Sequence, residues 1–118
     1  MDKATLKSEL LKVATAFESD GYPFEVAGIV PVFPDLTIES YIFQVHAGWL
    51  NDMSHSQALD VVIDKLYELL KPDALRYVNR VEICVKPDDI RCIPQDIIVN
   101  RINFQPLVVP YSYFQLQY

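Results

Sequence analysis

A chain of 118 residues, about half of them hydrophobic and only three of them glycine, is long enough to bury one core and has little room for flexible connectors, so residues 1–118 are expected to form a single domain. The formal net charge is −6 and the ten Lys and Arg are scattered without a basic run, which argues against nucleic acid as a partner, because affinity for phosphate backbones comes from clustered cations. No apolar run reaches the roughly 18 residues that span a bilayer, and MDKATLKSEL reads as a charged helix rather than a signal peptide, so no membrane partner is expected and the expected compartment is the cytoplasm.

Residues 3–19 carry Leu6, Leu10, Val13, Ala14 and Phe17 at helical spacing, with lysines and glutamates elsewhere, and predict a first helix that Gly21 ends in a left-handed conformation. Tyr22-Pro23 then forces an extended exit. FEVAGIVPVF at 24–33 predicts a first strand in which Gly28 and Pro31 point to a bulge or a sheet edge. After the Pro34-Asp35 turn, residues 37–49 predict a second strand, paired antiparallel with the first. Its period-two positions Tyr41, Phe43, Val45, Ala47 and Trp49 share the buried face, whereas Ser40, Gln44, His46 and Gly48 fall on a more polar one.

Ser54 and Gln57 have the spacing of a capping box, so the second long helix should start at His55 and stop before Pro72, with Leu59, Val62, Ile63, Leu66, Leu69 and Leu70 as its apolar stripe. PDALRY at 72–77 predicts one more helical turn, VEICV at 81–85 a third strand, and KPDD at 86–89 a turn. IRCI at 90–93 then reads as a short return strand and residues 96–105 as a further one. The expected fold is therefore α+β: an antiparallel sheet of four to five strands, with both helices on one face through Leu10, Val13, Phe17, Leu59, Ile63, Leu66 and Leu70.

Four groups of residues are candidates for function. His46 and His55, the only histidines, flank Asp52 across the strand-to-helix connection, and with Trp49 they are the candidate lining of a ligand pocket or a small acid-base site. Their spacing matches no metal-ligand signature, so neither a metal nor any other cofactor is expected. Asp60, Asp64 and Glu68 form an i, i+4, i+8 row on the second long helix and are candidates for docking a basic partner. Cys84 and Cys92 would face each other across a hairpin closing at KPDD and are expected to remain packed, reduced thiols. The uncharged segment 111–118, with Tyr111, Tyr113 and Phe114 among its aromatics, is a candidate surface for a homo-oligomer.

The order helix, strand hairpin, helix, strand, with YIFQVHAGW (41–49) leading into a capped helix and a proline, resembles the layout of small phage tail-completion proteins and, more loosely, of tautomerase-like chains. The first resemblance implies a self-assembling subunit. The second implies a catalytic proline at the mature N-terminus, from which Met1-Asp2 departs. Glycine-rich phosphate loops, nucleophile elbows, H-E-x-x-H and C-x-x-C are all missing from the sequence. The expected function is a small acidic non-enzymatic interaction module (adaptor, inhibitor or self-assembling subunit) with a protein partner; the alternative is a small-molecule-binding domain or small enzyme.

Overall fold

The structure, a computed structural model, describes residues 2–102. Helix α1 (Lys3–Ser19) opens on Asp2, whose carboxylate accepts the Thr5 N–H, and buries Leu6, Leu10, Val13, Ala14 and Phe17. Its end is set by Gly21, which takes φ +89°. The Tyr22 N–H returns to the Phe17 carbonyl at 2.8 Å and the Gly21 N–H to Glu18 at 3.0 Å, the paired bonds of a Schellman cap.

Among the described residues four strands follow, in the spatial order β3-β2-β1-β4. Strands β1 (Val26–Pro31) and β2 (Tyr41–His46) pair antiparallel, from Val26 opposite His46 to Pro31 opposite Tyr41. The chain then makes the short helix α2 (Gly48–Asn51), the long helix α3 (His55–Leu69) and a single turn, α4 (Pro72–Leu75). The capping box forms as the sequence requires: Ser54 Oγ accepts the Gln57 N–H and Gln57 Oε1 accepts the Ser54 N–H. Strand β3 (Val78–Ile83) lies beside β2, and β4 (Ile97–Asn100) lies on the other side of β1.

The α+β class and the helix-covered sheet agree with the sequence, but the sheet is mixed rather than antiparallel. Strands β2 and β3 run parallel, with Phe43 opposite Val81. Helix α3 returns the chain to the starting end of β2, and a strand entered through such a crossover runs in the direction of the one before it. Strand β1 is central, not an edge; of the two expectations for Gly28, the irregularity is the one present, as a register shift between Ala27 and Gly28 against β4. Pro31 is tolerated because it ends the strand. Residues 90–93 form no strand, and the second strand stops at His46, so Trp49 belongs to α2.

The central strands β1 and β2 are buried on both faces over most of their length. On one, Ala27, Ile29, Phe43, Val45 and Val81 pack with Leu6, Leu10, Val13 and Phe17 of α1 and with Ala58, Val62 and Leu66 of α3. Leu59 and Ile63 sit at the margin of this core, and Leu69, expected in the stripe, is exposed. Each fully buried Leu, Val or Phe of this layer contributes about 1.5–3 kcal/mol. On the other face Val26, Cys84, Ile90 and Cys92 form a smaller cluster with Val30 and Ile97, because residues 84–96 fold back over the sheet.

That cover corrects the expectation of a solvated polar face. Gln44 is 0 % exposed, and its polar atoms are satisfied from three directions. Nε2 donates to Glu82 at 2.7 Å, while Oε1 accepts the Arg91 backbone N–H at 2.8 Å and the Cys92 thiol at 3.4 Å. His46 is also buried, with Nδ1 3.0 Å from the Cys84 carbonyl oxygen and Nε2 3.1 Å from Glu25. Buried polar groups persist only when bonded, and these bonds tie the cover to the sheet. Lys3 and Lys7 pin α1 to the same cover through the buried Asp96, at 3.1 and 3.9 Å. Cys84 and Cys92 are free, buried thiols, as expected, but no hairpin sets them opposite each other, because residues 90–93 form no strand and the cysteines are packed by the fold-back of residues 84–96 over the sheet.

Candidate functional site

A cavity of about 690 Å³ opens where the end of α1, the 20–23 turn, α2 and α3 meet. Its lining joins Phe17, Tyr22, Trp49, Met53 and Val61 with Asp20, Asp64, Lys65 and Glu68. The Schellman cap folds Tyr22 back over Phe17, and α2 brings in Trp49, whose Nε1 donates to the Pro23 carbonyl at 2.8 Å.

These anchors make a continuous aromatic shelf. The Trp49 ring centroid lies 5.4 Å from Phe17 and 5.3 Å from Tyr22, and Trp49 stacks on Phe24 with planes 7° apart at 6.2 Å. Phe17 and Phe24 are buried beneath it, whereas Tyr22 remains 52 % exposed. Such tilted and stacked pairs are each worth about 0.5–1.5 kcal/mol beyond area burial, so the floor of the groove is held together by its own ring contacts.

The rim is charged. Lys65 reaches across from α3, its ammonium 5.5 Å from the Phe17 ring centroid, 3.4 Å from Asp20 and 3.2 Å from Glu68. The Glu68 hydrogen bond, with help from Asp20 and against the opposing effect of burial, holds the ammonium above the ordinary lysine value. Among the described residues one cation therefore faces three carboxylates, and two negative charges of the groove are left uncompensated.

The sequence candidates divide here. Trp49, Asp64 and Glu68 line the groove; His46, Asp52, His55 and Asp60 are not among its lining residues. His46 points to the opposite face of the sheet, into the Cys84 and Glu25 contacts, because it alternates with Val45 along β2. Asp52 and His55 are exposed at the two sides of the α2–α3 connection. Among the described residues no group of three or more His, Cys, Asp or Glu is placed to hold a metal. Tyr111, Tyr113 and Phe114 lie outside the described residues.

Sequence reasoning missed Asp20, Tyr22, Met53, Val61 and Lys65 as site residues. A signal for Tyr22 was present: a glycine-closed helix brings the residue after the glycine onto the last inward-facing residue of that helix, here Phe17. Among the described residues no helix is long and apolar enough to cross a membrane. Comparison with protein-family models, curated proteins and solved structures finds no match for this chain.

Proposed function

We propose that the protein is a small acidic, non-enzymatic interaction module, an adaptor, inhibitor or assembly subunit, that docks a protein partner in the groove between α1, α2 and α3. The observation that carries this is the pairing of a preformed, solvent-facing aromatic shelf with a rim in excess negative charge. Aromatic anchors dominate interface energies, and rim charges set encounter rate and register. The alternative drew on His46, Trp49, Asp52 and His55 sharing one cavity, and only Trp49 lines it, which favours docking over chemistry there. The buried free thiols suit the reducing cytoplasm.

The test is a photo-crosslinking side chain installed at Tyr22, which faces solvent, in the cells that make the protein. Crosslinks to a defined protein that disappear in the Asp64→Lys, Glu68→Lys double variant support the docking site. The absence of any crosslink from this position would place the partner on another surface, and crosslinks unchanged by the double reversal would mean that the acidic rim takes no part in docking.

Self-association is proposed separately, through the uncharged residues 111–118 with Tyr111, Tyr113 and Phe114. The excess negative charge of the groove disfavours a second copy of the same surface there. Removal of 111–118 is expected to lower the mass in solution; an unchanged mass removes this assignment.

A further inference from the structure

Resting on the groove as a docking site, we infer that its occupant is an arginine-bearing apolar segment of another protein, with a guanidinium stacked on the Tyr22–Trp49 shelf and paired to the Asp64 side of the rim. Three observations select this chemistry. The groove keeps two uncompensated carboxylate charges after Lys65 has paired with Asp20 and Glu68, so an occupant with two cations complements it. Tyr22 and Trp49 are 5.3 Å apart and tilted by 57°, and therefore touch each other. The exposed face of Tyr22 therefore offers a surface on which a planar cation can lie flat, with Trp49 beside it.

Lys65 supplies the third observation. Its compact ammonium already holds the corner over Phe17 between Asp20 and Glu68, which leaves the exposed Tyr22 face and Asp64 to the incoming group. A planar guanidinium stacks flat on a ring and directs two parallel donors of its fork sideways to one carboxylate, whereas an ammonium, like that of Lys65 over Phe17, meets ring and carboxylate only as a point charge. The apolar parts of the segment rest on Met53 and Val61 along the groove wall.

The experiment uses the fluorescence of Trp49, the only tryptophan in the chain. The full chain is titrated with a short acetylated and amidated peptide carrying two arginines between leucines, and with its citrulline and lysine counterparts. The arginine peptide is expected to bind saturably, with citrulline weakening it about tenfold or more and lysine weakening it less. Raising ionic strength from about 0.1 to 1 M shortens the screening length from about 10 to 3 Å and weakens the arginine complex. Tyr22→Ala and Asp64→Asn, both at exposed positions and checked for retained fold by circular dichroism, should each weaken it as well.

Equal binding of the citrulline peptide overturns the inference, as does equal binding of the lysine peptide or no binding at all. A Trp49 signal that changes with protein concentration alone, together with a doubled mass, makes a second copy the occupant and overturns it too. In each of these cases crosslinks from the Tyr22 position that depend on Asp64 and Glu68 would still stand for a docking site with a different occupant, so the two failures are distinguishable.

Discussion

Gly28 passes so close beneath Asp96 that a Cβ at residue 28 would stand 2.7 Å from the Asp96 carbonyl oxygen, and 2.8 Å from Cys92 Sγ. Both neighbours belong to the segment that covers the second face of the sheet, and one is backbone that cannot turn aside. Gly28→Ala is therefore expected to lift this cover and destabilise the fold by about 1–3 kcal/mol, the usual cost of overpacking. Urea unfolding measures it; a midpoint equal to that of the parent would mean that the cover is not held against Gly28.

Gln44 holds that cover by hydrogen bonds. In Gln44→Ala the partly buried Arg91 N–H and the Glu82 carboxylate each lose a partner, at a cost of about 1–3 kcal/mol. The variant should also exchange the Arg91 amide hydrogen faster than the parent while the amides of α1 and α3 stay protected. Uniform loss of protection would instead show that the two layers unfold as one unit.

Glu82 makes stability depend on pH in the acid range. Burial alone raises its carboxyl, but hydrogen bonds from Gln44 and Arg91, the Arg91 charge and Arg80 outweigh it and hold the group below the usual carboxylate value. A depressed carboxylate contributes stability that is present above the unfolded value, about 4.3 for glutamate, and is lost as pH falls through the lower folded value. Glu82→Gln should therefore be less stable than the parent near neutrality, and the gap in denaturation midpoint should close in acid. A gap independent of pH would assign the effect to packing.

Cys84 and Cys92 should be inert in the folded protein. Burial, reinforced by Glu82 and Asp89 around Cys84 and by Asp96 and Cys84 around Cys92, pushes both thiols up to about 12, which leaves little thiolate at mildly alkaline pH. A disulfide reagent should label neither until denaturant is added, with the labelling transition tracking unfolding. Fast native labelling of either thiol would show that residues 84–96 open on their own.

The sequence by itself determined the elements whose cause is local. The α1 stripe, the Gly21 stop, the Ser54–Gln57 box and the start of α3 at His55 follow from side-chain spacing and from backbone donors that need partners within a few residues. The hairpin of β1 and β2 was legible for the same reason. Of the groove, the sequence marked Trp49, Asp64 and Glu68, but as members of two unrelated sets.

Only the tertiary structure decided what depends on chain segments far apart in sequence. Period-two alternation marks the two faces of β2 but not what covers them, so Gln44 and His46 read as a solvated face, whereas residues 84–96 bury them. Alternation is also blind to strand direction; the parallel β2–β3 pair is set by the crossover through α3. The groove exists because a helix cap, a one-turn helix and the α3 flank bring Tyr22, Trp49 and Lys65 together from separate parts of the chain. Ring contacts and charge pairs act over a few ångströms of space, and no local pattern encodes which distant residues will share them.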